Sequence, residues 1–428
     1  MRVLVISPLF PPSPNSEAIC GGKFVLALME SGIKTSVIFS SNVQTVSMFD
    51  ESRMWEPLRD IAIDVPNQPV SILKRCSLGI RYQSTSWVSW THLVVSKARE
   101  LHSRNRFDVV VSRSLPRHAH IAGYWVACTL KLPWVAVDND PWDFSGFAPT
   151  KTLSPDWRMT PNFRFWRRRI LAGADRLCFP CDRLRDFCFK GLRRTAGSLI
   201  VPHIGRAVTS ERRADFLIVH TGKLGSNEIT ARSPAPLLEA MKQLFLFRPA
   251  AKLRTRLLLV GPEDAKTVEY ARSLGLSEHV TSTGVVNYEE SLGYIAQAAV
   301  CLLIEANLKE GVFLPSKLCD YIVARKPVLA LSPELGTVAD LAAEQGIMRV
   351  SPNDPNAVAA ALTQMFDAFL ESRIDAYAPS DWLVQQFSGK AVIEDFLTSI
   401  APLSLSQRHV SAAVGEKEEQ EKANVAVG

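Results

Sequence analysis

The stretch Cys301–Leu331, CLLIEANLKEGVFLPSKLCDYIVARKPVLAL, decides how the rest of the chain is read. It reads as a buried strand (Val300 to Ile304), a polar loop closing on Glu310-Gly311, a short helix, and a second buried strand (Pro327 to Leu331). Within the helix Leu318, Tyr321 and Ile322 share one face at the i, i+3, i+4 spacing, while Ser316, Lys317 and Asp320 share the opposite arc. A lysine and a carboxylate therefore point the same way one turn beyond a free helix start. Exposed backbone N–H groups at such a start attract anions, and a nearby carboxylate can accept from a sugar diol. The combination suggests a nucleotide-linked ligand.

Working outward, the same strand-then-helix unit recurs on both sides. Toward the N-terminus the strands are Val3 to Ile6, Lys34 to Phe39, Asp108 to Ser112, Trp134 to Val137, a short one near Leu177, and Leu199 to Pro202. Helical segments separate them, including Lys23 to Ser31, Trp87 to Arg104 and Ala119 to Leu130. Residues Asn42 to Ser84 read as irregular. Gly205 to Ala214 is polar and without periodicity, and reads as a linker. Beyond it the unit restarts with strands at Phe216 to His220, Arg256 to Val260, His279 to Ser282, Val300 to Ile304 and Val328 to Leu331. Strands alternating with helices predict an α/β chain with parallel sheets covered on both faces. The expected domains are 1–204 and 205–379, with helix Trp382 to Ile400 after them and a charged, apolar-poor, disordered tail over 403–428. Two doubly wound sheets put the loops at their strand ends around a shared cleft, where a ligand is expected.

Bulk properties agree with two ordinary globular cores. The chain has 428 residues, 47% hydrophobic and 21% charged. No uninterrupted apolar run reaches the roughly 18 residues of a membrane span. The start runs straight into the strand Arg2–Ser7 rather than a leader, so a cytoplasmic protein with reduced thiols among its eight cysteines is expected. A net charge of +6 is mild; it admits anionic substrates or a membrane surface and offers little to nucleic acid.

Several loops could carry chemistry. Gly21-Gly22 precedes the first predicted helix and permits either close approach to a phosphate or a simple helix-capping turn. Lys223, in His220-Thr-Gly-Lys-Leu224, and Arg232 share one loop and suit a diphosphate, or are two solvated charges. Gly261 ends the strand of LLLVGPE, and Val286 ends TGVV, where backbone amides could meet a base edge. Cys178-Phe-Pro-Cys181 with Cys188 lacks a second pair and reads as buried small hydrophobes. Arg164-Phe-Trp-Arg-Arg-Arg169 reads as a solvated helix face or as a basic, aromatic surface for anionic lipid.

In order and spacing, HTGKL, SPAPLLEAM, LLLVGPE, TGVV, LLIEA and PSKLCDYIVARKPVLAL resemble the donor domain of GT-B glycosyltransferases, with family 4 the nearest pattern. RVLVISPLFPP with its GG, LPWVAVDNDPW, and RRRILAGADRL before VPHIG are similar to the family's first domain. The resemblance implies two Rossmann-like domains with an interdomain cleft, the last helix crossing back to the first domain. It also implies transfer from a nucleotide-sugar donor to a glycan or lipid-linked acceptor, with retention and without a metal or other cofactor, in surface polysaccharide or glycolipid synthesis. By position, Lys223 and Arg232 would contact the donor diphosphate, the backbone from Gly311 to Ser316 with Lys317 would cradle phosphate, and Asp320 would hold the ribose. Gly21, Gly22, Gly261 and Val286 would complete the donor site.

The sequence departs from that pattern twice. The family's paired glutamates lie seven residues apart, and the partner position of Asp320 falls on Val312, so Glu310 is the stand-in expected from the loop. The first-domain loop that often carries a histidine reads Asp138-Asn-Asp140, whose aspartates could hold a sugar hydroxyl or receive a proton, or together hold a metal. His118 and His120 are further substitutes, or structural histidines. Other readings of the same fold are a nucleotide-sugar 2-epimerase and a donor-binding subunit without catalysis.

Overall fold

A computed structural model describes residues 1–43, 49–141, 161–190, 197–211, 214–225, 232–343 and 346–403. The predicted Asp138–Pro161 loop falls largely outside these residues, as does the tail after 403. The first sheet collects β1 (Arg2–Ile6), β2 (Lys34–Phe39), β3 (Ala62–Asp64), β4 (Val109–Arg113), β5 (Trp134–Val137), β6 (Arg176–Phe179) and β7 (Gly197–Ile200) in the order β3-β2-β1-β4-β5-β6-β7. The second collects β8 (Phe216–Thr221), β9 (Thr255–Val260), β10 (Val280–Gly284), β11 (Val300–Ile304), β12 (Val328–Leu331) and β13 (Ile347–Val350) in the order β10-β9-β8-β11-β12-β13. All pairings within the two sheets are parallel. Central strands such as β1, β4, β8 and β11 are buried along almost their whole length, which is why they read as unbroken apolar runs rather than alternating ones.

Between the strands run α1 (Ser16–Glu30), α2 (Ile72–Tyr82), α3 (Val88–Arg104), α4 (His118–Leu130), α5 (Pro161–Gly173) and α6 (Asp182–Phe189). The second half adds α7 (Ala235–Phe247), α8 (Pro249–Arg254), α9 (Ala265–Ser273), α10 (Tyr288–Gln297), α11 (Ser316–Val323), α12 (Thr337–Ala343), α13 (Pro355–Leu370) and α14 (Asp381–Gln386). Each sheet reverses its strand order at one place, between β1 and β4 in the first and between β8 and β11 in the second. A crevice opens at the carboxyl end of such a switch point, because the flanking connections leave to opposite faces of the sheet.

The architecture is the GT-B arrangement expected: two doubly wound α/β domains, with the last described helical segment packed on the first. After α14 it is helical again from 389 to 403, and Val392, Ile393, Phe396 and Ile400 pack into the core holding Val3, Val5 and Phe24. The Phe24 and Phe396 rings meet edge to face at 5.1 Å. One predicted helix is therefore two, broken at Phe387-Ser388, where the Ser388 hydroxyl accepts from the Ala391 N–H and starts the second piece.

Three further details differ from the sequence reading. Gly21 and Gly22 lie inside α1, which Asn15 caps through the Glu17 N–H, not ahead of the helix. A Cβ on Gly22 would stand 2.6 Å from Pro11 and 2.7 Å from Trp55, so this glycine permits close packing. The Asn42 to Ser84 stretch, expected to be irregular, contains β3 and α2. Only Leu78 and Tyr82 of α2 are buried, too few for helical periodicity to show. The strand β13 was not expected either.

Candidate active site between the two sheets

The two switch points face each other, and buried charged groups collect there. On the second domain, β8 delivers His220, whose Nδ1 donates to the Leu302 carbonyl at 2.9 Å. The other ring nitrogen, Nε2, therefore carries the lone pair, and it lies 3.4 Å from Lys317 Nζ. Burial, then Lys317, drives the His220 pKa far below its ordinary value, so the ring is neutral. Lys317 reaches back from the first turn of α11 over Gly222, where a Cβ would stand 3.0 Å from the ammonium and φ is +91°. Only glycine leaves that approach open without strain. Burial, then Arg232, lowers Lys317 to about 7. Gly261 packs on the same turn, a Cβ there meeting the Gly222 carbonyl oxygen at 2.8 Å.

Arg232 lies within electrostatic reach of Glu305 and of Asp140, across the cleft. Glu305 directly follows β11, and burial lifts its pKa to about 7. Its Oε2 is buried without a hydrogen-bond partner among the described residues. Its carboxylate lies against Gly311, both oxygens 3.3 Å from where a Cβ would stand. The sequence reading missed Glu305; its place just after the strand flanking the switch point is the signal that could have found it.

The first domain answers with Asp138, Asn139 and Asp140 at the end of β5. Asp138 accepts from His120 Nε2 at 3.0 Å, and His120 Nδ1 meets Ser112 Oγ at 2.8 Å. His120 thus holds the loop from behind. Asn139 donates to Glu17 at 2.7 Å. Burial, then mutual repulsion with Asp140, keeps Glu17 well above the usual carboxylate range, and burial also raises Asp140. Arg113 and His203 complete this wall; burial, followed by Arg113 and Lys23, lowers His203 to about 3. His118 is stacked on Trp87 at 4.8 Å with Nε2 on Ser86 Oγ at 2.7 Å, a packing position.

The remaining candidates are dispersed. Lys223 is exposed one residue past Gly222. Val286 is half-buried after β10, and Ser316 begins α11 near Cys20. Val312 is packed, its carbonyl accepting from Cys181 Sγ at 3.2 Å. Glu310 is half-exposed and pairs with Arg183 at 2.6 Å, and the same guanidinium holds Asp340. Glu310 therefore clamps α6 to the second domain, while Glu305 faces the cleft cations.

Asp320 is buried and in use. Its Oδ1 accepts from Lys23 Nζ at 2.9 Å, Tyr288 OH at 2.8 Å and the Arg206 N–H at 3.1 Å. Burial opposes the Lys23 charge, but Asp320 together with Cys20 and Cys319 leaves the ammonium above the usual lysine range. Tyr288 in turn stacks on Trp55 of the first domain at 5.7 Å. Two domains and the linker thus converge on one carboxylate oxygen.

Residues 215–368 match the model of the family Glycosyl transferases group 1. No curated protein sequence matches the chain. Among solved structures, Alr3699/HepE of Anabaena in complex with UDP and glucose superposes with a TM-score of 0.64 at 13% identity, over 94% of this chain and 100% of that one. The lipopolysaccharide outer core galactosyltransferase WaaB gives 0.57 at 11%, over 94% and 97%. A UDP-N-acetylglucosamine 2-epimerase from Listeria monocytogenes, itself described as putative, gives 0.55 at 13%, over 94% and 95%. At these identities the structures speak for the fold, and the family model for the second domain. The chain has the GT-B fold, and its residues 215–368 are similar to the glycosyl transferases of group 1.

Proposed function

We propose that the chain is a family 4 glycosyltransferase that moves a sugar from a nucleotide-sugar donor to a glycan or lipid-linked acceptor, with retention and without a metal. Its proposed setting is surface polysaccharide or glycolipid synthesis at the cytoplasmic face of a membrane. The observation that carries the reading is the convergence of Lys317, Arg232 and neutral His220 at one switch point, opposite Asp140 and Glu17 at the other. A departing nucleoside diphosphate gathers negative charge on a phosphate oxygen. Lys317 and Arg232, with Lys223 at the loop and the first amides of α11, are placed to stabilise it, at about 3 kcal/mol per well-aimed donor. The released oxygen can then take the acceptor's proton on the same face of the sugar. Asp138, fixed by His120, and Asp140 offer acceptors to sugar or acceptor hydroxyls. Glu305 takes the role that the loop spacing assigned to Glu310, because its carboxyl lies beside Arg232 and Gly311. Asp320 could accept a ribose diol only by exchanging Lys23 or Tyr288 for it.

The test is thermal unfolding with a panel of nucleoside diphosphates and their sugars, followed by turnover of the stabilising donor with membrane extract. One base is expected to stabilise the protein by mass action, and Lys317→Met and Arg232→Met to abolish that shift. Labelled sugar is expected in the glycan or lipid fraction. An epimerised donor without acceptor, binding without turnover, or no stabilising nucleotide would each overturn the reading.

A further inference from the structure

We propose that α2 and α5 together form a docking surface for an anionic lipid bilayer, with the apolar arc of α2 entering the headgroup boundary. Ile72, Leu73 and Ile80 are 80%, 84% and 82% exposed, and no other large apolar side chain among the described residues is as open. With Cys76 they fall within an arc of about 100° at 3.6 residues per turn, opposite the buried Leu78 and Tyr82. The helix is apolar on two faces, and the described residues cover only one. Lys74 and Arg81 border one edge of the exposed arc and Arg75 the other.

α5 extends the surface. Its Asn162 and Trp166 side chains donate to the Gln83 carbonyl at 3.0 and 2.7 Å, so α5 is fastened to the end of α2. Phe165 is exposed beside Arg75, Cys76 and Ile80 around one open groove, with Arg164 and Arg168 exposed on the same helix. Neither 71–83 nor 161–174 contains an acidic residue, whereas α2 carries three basic residues and α5 four.

This chemistry selects its partner. A second copy of the same face would set like charge against like charge. A nucleic-acid backbone offers nothing to three exposed aliphatic side chains. A bilayer bearing anionic headgroups satisfies both halves, apolar side chains at the acyl boundary and guanidinium groups at the phosphates. The inference deepens the reading of a lipid-linked acceptor, and vesicle binding measured without donor separates the two.

The test is co-sedimentation of the full chain with phosphatidylcholine vesicles, pure or containing one part in four phosphatidylglycerol. The chain is expected to sediment with the mixed vesicles, less so as salt rises, and far less with the pure ones. Ile72→Asn/Leu73→Asn/Ile80→Asn is expected to lower partitioning about tenfold or more while leaving the thermal midpoint in place, since none of the three side chains is packed. Lys74→Glu/Arg168→Glu, which leaves the apolar arc intact, is expected to weaken binding and flatten its salt dependence. Wild type left in the supernatant, or both variants binding as wild type does, would overturn the proposal. So would a concentration-dependent dimer that the triple variant dissolves, which would make this face a contact between copies.

Discussion

Removing the Asp320 carboxylate tests whether the two domains are held together at one buried ion pair. At 2.9 Å and an effective dielectric of about 20, Lys23 and Asp320 attract by about 6 kcal/mol before desolvation is counted. Both side chains are almost fully buried, so desolvation cancels much of that gain. Breaking the pair is another matter. Asp320→Ala strands the Lys23 ammonium in a dry site and leaves the Tyr288 hydroxyl and the Arg206 N–H without their acceptor. The expected loss is about 3–5 kcal/mol, with Lys23→Met costing a similar amount by stranding the carboxylate. Lys23→Met/Asp320→Ala removes both charges and should recover part of the loss, a coupling of about 2 kcal/mol or more. Urea unfolding of the four proteins reads the cycle, with limited proteolysis of the 205–214 linker as a second probe of domain separation. Additivity within about 0.5 kcal/mol would refute the ion-pair argument. Nucleotide binding by the repaired double variant asks a separate question: retained binding would remove Asp320 from the ribose site.

Two further outcomes follow from particular atoms. A Cβ on Gly205 would stand 2.1 Å from the Cys319 carbonyl oxygen, so Gly205→Ala must push the linker off α11 and is expected to lose about 1–3 kcal/mol in urea unfolding. Gly293→Ala, in open space within α10, is expected to gain about 0.5–1 kcal/mol; equal effects at the two sites would refute the steric account. Because Lys317 titrates near 7 in the empty site, binding a diphosphate must draw a proton onto it as pH rises past that value. Nucleotide affinity is therefore expected to fall above about pH 7, by at most tenfold per pH unit, and Lys317→Arg to flatten the profile in isothermal titration; a wild-type profile flat through that range would refute the link.

How much was legible before folding depends on whether a signal is local. The alternation of apolar runs with amphipathic segments fixed the parallel sheets, since strands buried on both faces must be apolar throughout. β8, β9 and β11 appear in the sequence close to their true limits for that reason. α2 escaped notice because its aliphatic residues face outward, and a periodicity search assumes that apolar faces are buried. The helix after 381 read as continuous because its break is set by one serine cap rather than by proline.

The candidate site divides the same way. Lys317 and Arg232 could be picked from the sequence as cations of a helix start and of a loop beyond a strand. That Glu305 rather than Glu310 faces them could not, because five residues of loop decide which carboxylate turns inward and which reaches Arg183 on the other domain. Nor could spacing foretell that Lys23, Tyr288 and Arg206 would all converge on Asp320, residues separated by up to 297 positions. The sequence by itself determined the α/β units, their order and the chemistry available at each strand end, because propensity and hydrophobic patterning act over a few residues. Only the tertiary structure decided which charges are buried, which of them are paired and which remain poised in the cleft, because desolvation and Coulomb energies depend on distances that the folded chain alone sets.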